Sequence, residues 1–319
     1  MKKYHVTALG ELLIDFTENG LSNQGNFLME ANPGGAPCNV LAMLQKLGKK
    51  TAFIGKVGND FLGKHLKTVV EEVGIDTRNL LLDENVHTTL AFVHTYADGD
   101  RDFSFYRNPG ADMNLRAEEI DEELIAESEV FHFGSLSLTH SGVREATKKA
   151  LRIAKDNGCL ITYDPNLRPP LWNTLEEAKE QIAFGMQWCD VMKISDNEIQ
   201  WFTGKEDFDE GIRILQDTYH IPLILLSMGR DGSRAYYQDR KVEAKPFLQK
   251  NTIETTGAGD TFCACVINYV LEHGLQNLTE ENLQEMLTFA NAAASLITTR
   301  KGALRVMPEK ADVEAMLAK

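Results

Sequence analysis

Thr255-Thr256-Gly257-Ala258-Gly259-Asp260-Thr261-Phe262 leads directly into an apolar, helix-length run from Cys263 to Leu271. Two glycines around an alanine let the backbone turn tightly and bring several peptide N–H groups near one point. A helix starting there adds its unpaired first-turn N–H groups and the positive end of its dipole. Such a corner binds anions, phosphate above all. Asp260 stands inside it, where a carboxylate stays ionised and can accept a proton. An anion cradle with a built-in base suits transfer of a phosphoryl group to a hydroxyl. A bare G-A-G-D is more often a glycine turn capped by its aspartate, but the full eight-residue string favours the site.

Other residues could serve the same chemistry. Gly34-Gly35, with Asn39 four residues on, is either a plain loop entering a helix or a place where a ligand meets bare backbone. Asn39 offers a donor and an acceptor to a polyol, and Asp15 at the end of an early strand accepts from vicinal hydroxyls. Asp164-Pro165-Asn166-Leu167-Arg168 is turn chemistry in itself, yet Arg168 could clamp a transferring phosphoryl group. Lys193 and Asp196-Asn197-Glu198 close the next strand. Asn197 and Glu198 could hold Mg²⁺ directly or through water. Ser227-Met228-Gly229-Arg230-Asp231-Gly232 fits a flat nucleotide on backbone and equally a tight turn. Gly58 to His65 imitates a P-loop, but His65 replaces the metal-binding hydroxyl, and Phe61 and Leu62 look inward-facing, so the match is rejected. No G-x-G-x-x-G follows the first strand, which leaves a nicotinamide dehydrogenase poorly supported.

The elements that must position these residues alternate. Strand-like Val6–Leu9 and Leu12–Phe16 flank Gly10-Glu11, and Pro33–Ala36 reads as a loop before a helix over Asn39–Leu47. Strand Thr51–Val57 and helix Phe61–Val73, with Asp60 as cap and Gly74 as stop, follow. Later strands are expected at Val130–Phe133, Cys159–Tyr163, Val191–Ile194 and Leu223–Ser227. Helices are expected at Gly142–Asn157, Leu175–Trp188 and Asp209–Tyr219, and a hairpin over Ser233–Ala244. This order implies a parallel, doubly wound α/β sheet. Glu18–Glu30 reads as polar and irregular, and Thr88–Tyr106 as a hairpin about Ala97-Asp98-Gly99-Asp100. Both segments are expected to form a small lid on the main domain.

At 319 residues, 43% hydrophobic and 25% charged, the chain has ample core. Its net charge of −14 argues against nucleic-acid or anionic-membrane partners. Five scattered cysteines lack zinc-finger spacing and read as buried thiols in a reducing cytoplasm. Met1-Lys2-Lys3-Tyr4 runs into a strand without a signal-peptide core, and no apolar run approaches the ~20 residues of a membrane span.

The order of motifs resembles the ribokinase-like (PfkB) sugar-kinase family from near residue 5 to near residue 308. Its members carry an early G-G-x-x-x-N, a middle D-x-N-x-R, an N-E segment, an S-x-G-x-x-G strand end and a late T-G-A-G-D. Here these are Gly34, Gly35 and Asn39; Asp164, Asn166 and Arg168; Asn197-Glu198; Ser227, Gly229 and Gly232; and Thr256 to Asp260. Gly10–Phe16, Pro33–Pro37, Phe105–Pro109 and Asp164–Arg168 with Leu171-Trp172 look most like the fructokinase branch.

The resemblance implies a single kinase domain over residues 1–319, a three-layer α/β/α sandwich with a β-lid near 16–32 and 88–108. It further implies an ATP–Mg²⁺ donor and D-fructose as acceptor, giving fructose 6-phosphate. Asp260 would be the base, with Gly257, Ala258 and Gly259 as anion hole beside Arg168. Asp15, Gly34, Gly35, Asn39, Phe105, Arg107 and Asp164 would hold the sugar. Lys193, Ser227, Gly229, Gly232 and Asn291 would hold the nucleotide, and Glu198 the Mg²⁺. Glu254, Thr256 and Gly302 would bind K⁺, although Glu254 stands where aspartate is usual and its extra methylene shifts or weakens the ion. Gln200 likewise replaces a second acid after Asn197-Glu198. A homodimer through the lid is a further expectation. The rival acceptors are ribose, nucleosides and 2-keto-3-deoxygluconate, whose carboxylate Tyr106-Arg107 could meet; a non-catalytic sugar-binding protein is the rival from another class.

Overall fold

A computed structural model describes residues 2–95 and 101–318. Strands β1 (Tyr4–Leu9), β2 (Leu13–Leu21) and β3 (Phe27–Gly34) lead into helix α1 (Ala36–Lys46). Strand β4 (Thr51–Gly58), helix α2 (Phe61–Glu72) and strand β5 (Asp76–Asp83) follow, then β6 (Leu90–Thr95) and β7 (Arg101–Tyr106). Next come α3 (Glu122–Ala126), β8 (Ser128–Gly134), α4 (Ser141–Asp156), β9 (Leu160–Asp164) and α5 (Leu175–Met186). The chain continues through β10 (Val191–Ser195), α6 (Asp196–Thr203), α7 (Phe208–Tyr219) and β11 (Leu223–Ser227). Hairpin β12 (Ser233–Tyr237) and β13 (Arg240–Ala244) precedes helices α8 (Ala258–His273), α9 (Glu280–Ile297) and α10 (Lys310–Leu317).

The large sheet has the order β13-β12-β11-β10-β9-β8-β1-β4-β5. Neighbours from β11 to β5 pair parallel, whereas β12 pairs antiparallel with both β11 and β13. Parallel strands covered on both faces read as apolar runs, and β11 shows why. Leu223 and Leu225 join one apolar layer with Leu41, Phe262 and Leu287, while Ile224 and Leu226 join the other with Leu151, Ile182 and Ile212. Each such buried side chain contributes roughly 1.5–3 kcal/mol of transfer free energy. Strand order reverses at β1, which has β8 on one side and β4 on the other. Open α/β sheets bind ligands in the crevice beyond the strand ends at such a point.

A second sheet, in the order β3-β2-β6-β7, pairs β2 with β3 antiparallel and β2 with β6 parallel. The turn expected over Ala97–Asp100 lies outside the described residues. Glu18–Glu30 is not irregular: it completes the β2–β3 hairpin around a turn in which Ser22 bonds Asn26. Its side chains are largely exposed on both faces, so no apolar alternation marks it. Pro33 and Gly34 likewise end a strand instead of forming a free loop.

Asp60 caps α2 as expected, accepting the Gly63 amide at 2.8 Å. A Cβ on Gly63 would fall 2.0 Å from the Gly58 carbonyl oxygen, so this P-loop mimic is packed shut. Phe61 faces solvent at 83% exposure, contrary to the inward reading, whereas Leu62 packs on the core. All five cysteines are buried free thiols. No helix among the described residues is long and apolar enough to cross a membrane.

Candidate active site

Helix α8 begins at Gly257, whose φ of 76° places it in the left-handed region that favours glycine. No side chain caps this end. Ala258 donates to the Thr255 carbonyl and Thr261 to that of Gly257. The Gly259 and Asp260 amides find no acceptor among the described residues. From Thr261 to Val270 the helix is buried all round, so its N-terminus is fixed by the core.

Asp260, in the first turn, accepts a 2.8 Å hydrogen bond from Asn39 Nδ2 on α1. Burial pushes its carboxyl above the ordinary range, opposed by the Asn39 bond and the charges of Lys193 and Arg168. A carboxylate whose pKa is raised in this way is a stronger base towards the proton of an alcohol. The Asn39 Oδ1 is buried and has no hydrogen-bond partner among the described residues. Lys193 leaves β10 with its ammonium 3.1 Å from Asp164 at the end of β9. Burial would lower its pKa, but the Asp164 and Glu198 carboxylates hold it charged. The same ammonium would lie 3.2 Å from a Cβ on Gly259, which puts a fixed cation beside the helix start.

A cavity of ≈ 460 Å³ opens on this corner. One wall is the second sheet, through Leu13, Asp15, Thr17, Asn32, Pro33, Val93 and Phe105. The other carries Gly35, Asn39, Arg168, Lys193, Gly257, Gly259 and Asp260, with Glu254, Thr256 and Gly302 beside them. Gly34 does not line the space. Its missing side chain admits Asp15, whose Oδ2 would lie 2.2 Å from a Cβ there. Burial raises Asp15 to about 7 against the charge of Arg168. Arg168 has no ion-pair partner among the described residues, so its charge is available to the cavity.

A second cavity, of ≈ 420 Å³, lies between β11, the segment after β13 and α9. Ser227, Gly229, Gly232, Ala258 and Asn291 line it, as do Phe247, Leu248 and Phe262. Gly232 (φ 93°) cannot carry a side chain, because a Cβ would meet the Ala244 carbonyl oxygen at 2.2 Å. Asn291 donates to the Ala244 and Lys245 carbonyls and so holds the cavity edge. Both cavities touch Thr255 and Gly259. They therefore meet where α8 begins.

Four expectations from the sequence change here. Arg107 is a buried guanidinium turned onto Asp112, Thr139 Oγ1 and the Leu136 carbonyl, outside the residues that line either cavity. Through these bonds it supports the Leu136 loop. Asp164 lines neither cavity and acts on Lys193. Lys193 itself lines the first cavity, not the second. Glu198 closes a capping box on α6, accepting from the Ser195 amide and hydroxyl and from the Leu167 amide. Burial alone would raise it, but Lys193 and those bonds bring it below the ordinary carboxylate range. Engaged by these donors, Glu198 lines neither cavity.

Among the described residues no group of three or more His, Cys, Asp or Glu could hold a metal. Mg²⁺ typically takes one or two carboxylates plus substrate phosphates, a donor set that phosphate in the second cavity would complete. Glu254 Oε1 accepts the Gly302 amide at 2.7 Å, leaving one carboxylate oxygen for the oxygen-rich corner with Thr256. The sequence reading missed Thr17, Asn32, Leu136 and the Pro246–Gln249 segment. Leu13, Asp15 and Thr17 share one face of β2, so a period-two reading extended past Phe16 finds Thr17. Asn32 becomes a neighbour of Asp15 only through the hairpin register.

The sequence matches the pfkB family carbohydrate kinases over residues 3–310. It is 40% identical over 315 residues to a probable fructokinase-2 of Arabidopsis thaliana, covering 98% of this chain and 94% of that one. The fold matches a Xylella fastidiosa fructokinase with bound ATP at TM-score 0.90 and 28% identity, over 100% of this chain and 99% of that one. It also matches a Vibrio cholerae O395 fructokinase in its fructose-, ADP- and calcium-ion-bound form at TM-score 0.86 and 26% identity, over 98% and 99% of the two chains. With an uncapped helix start joining two cavities, and this likeness over nearly its whole length, the chain belongs to the pfkB family of carbohydrate kinases.

Proposed function

We propose that this protein transfers the γ-phosphoryl group of ATP to the 6-hydroxyl of D-fructose. The observation that carries the reading is the meeting of two cavities at the N-terminus of α8, with Asp260 lining the first beside the shared Gly259. ATP occupies the cavity of Ser227, Gly229, Gly232 and Asn291, and its γ-phosphate reaches the free amides of Gly259 and Asp260. The sugar lies against Asp15, Gly35 and Asn39 under the second sheet, which serves as a lid. Asp260 accepts the hydroxyl proton as the new O–P bond forms and the bond to ADP breaks. Lys193, Arg168 and the helix start stabilise charge on the transferring group. When bound, Mg²⁺ would neutralise phosphate charge, and Glu198 would hold it through water. Glu254, Thr256 and Gly302 would hold K⁺. Buried, unpaired cysteines support a cytoplasmic setting.

The fructokinase relatives support fructose over ribose or a nucleoside. Arg107 is turned onto Asp112, so the Tyr106-Arg107 pair, which could meet a carboxylate as readily as a hydroxyl, lends a sugar acid less support. ADP release coupled to a reporter, measured over fructose, ribose, nucleosides and 2-keto-3-deoxygluconate, tests the acceptor, and phosphorus NMR of the product tests the position. Fructose should dominate, and Asp260→Asn should lower kcat by about 10²–10⁴-fold with sugar binding retained. Near-wild-type turnover by that variant would remove Asp260 as the base. Sugar binding without any ATP consumption would overturn the kinase reading itself.

A further inference from the structure

Glu11 lies between β1 and β2, is 4% exposed, and lines the floor of the first cavity. Its Oε1 accepts the amide of Ala36 at 2.8 Å. Ala36 is the first residue of α1, and the preceding residue, Gly35, has no side chain with which to cap it. The first amides of a helix lack partners within it, so a carboxylate from another element supplies the missing acceptor and meets the positive end of the dipole. Glu11 also grips the loop from its backbone. Gly35 has a φ of 127°, and a Cβ there would lie 2.4 Å from the Glu11 carbonyl oxygen. One turn along α1, Asn39 donates to the Gly35 carbonyl and to Asp260 Oδ2.

We propose that Glu11 is a positioning residue for phosphoryl transfer: it caps α1 from outside and thereby sets Asn39 against Asp260 and the acceptor sugar. A glycine pair can bring backbone close to a ligand, but it leaves its own helix start unrestrained. Glu11 restores the restraint without placing a side chain in the ligand's path. Burial pushes its carboxyl up to about 7, opposed by the bonds from its own amide and from Ala36. The bond to Ala36 needs an acceptor oxygen and not a charge, so glutamine can replace it and alanine cannot.

The inference rests on the kinase reading of the site, and the test separates the two. Steady-state constants for fructose and ATP are measured for wild type, E11A, E11D, E11Q, N39A and E11A/N39A, with amide hydrogen exchange over residues 33–44. E11A should raise the fructose KM and lower kcat by about tenfold each, since small misplacements of reacting groups carry such costs. The ATP KM should hold. E11D, too short to reach Ala36, should follow E11A, whereas E11Q should recover most of the loss. The double variant should be little worse than N39A, because both changes cut one chain of contacts. If E11A fails to fold, E11D against E11Q decides. Additive E11A and N39A losses, or E11D indistinguishable from E11Q, would overturn the assignment. Should wild type phosphorylate no sugar, the kinase reading falls, and exchange alone decides: Ala36–Asn39 amides faster in E11A or E11D than in E11Q support the cap, and equal rates refute it.

Discussion

Asp15 is pushed up to about 7 because burial disfavours its charge, and Glu254 and Asp260 add like charge against the pull of Arg168. A carboxyl whose folded pKa exceeds its ordinary 3.8 stabilises the fold below that ordinary value, and the contribution is lost as pH rises towards 7. Asp15→Asn should therefore raise the melting temperature at pH 8 and do little near pH 4. The gain should be about 1–2 kcal/mol once partial solvent contact is allowed for. Function runs the other way. An ionised Asp15 accepts sugar hydroxyls best, so fructose affinity should weaken as pH falls through 7, and the variant should bind weakly with a flatter profile. Calorimetry at pH 6 and 8 checks both. If affinity in the variant still follows pH as in wild type, the titration belongs to another group.

Helix α8 shows how an element turns local sequence into a site. Its start was legible because glycine at positive φ and an apolar run without a capping side chain are both local properties. Gly257→Ala should test the geometry. A Cβ there meets the Ala303 side chain at 2.8 Å in a backbone conformation that L residues resist. We expect about 1–2 kcal/mol of destabilisation from the left-handed conformation and a loss of kcat of about 10²-fold from displaced amides. The fructose KM should change little; urea unfolding and initial rates measure the pair. The β2–β3 hairpin was not legible. Its exposed polar side chains carry no alternation, and backbone pairing with β6 holds it.

At the scale of the molecule, the second sheet presents Leu21 (62% exposed), Phe27 (75%) and Leu28 (46%) at one hairpin. We propose that a second copy of the chain covers them, giving the homodimer through the lid. A charge of −14 on each copy opposes such contact, so association should strengthen with salt as repulsion is screened. Sedimentation at low and moderate salt should show a dimer that Phe27→Glu weakens. A monomer under both conditions removes the proposal.

The residues around Asp260, the glycine pair with Asn39, and the alternation that builds the parallel sheet were all determined by the chain's own order. Each rests on short-range physics: backbone freedom, helix-end amides and the spacing of apolar side chains. Which charges face the cavity was decided only by tertiary structure. Arg107 and Lys193 are both basic residues near ligand motifs, yet one is turned onto Asp112 and the other onto the helix start. That choice depends on which carboxylates and carbonyls distant segments bring within hydrogen-bond reach, and no spacing along the chain encodes it.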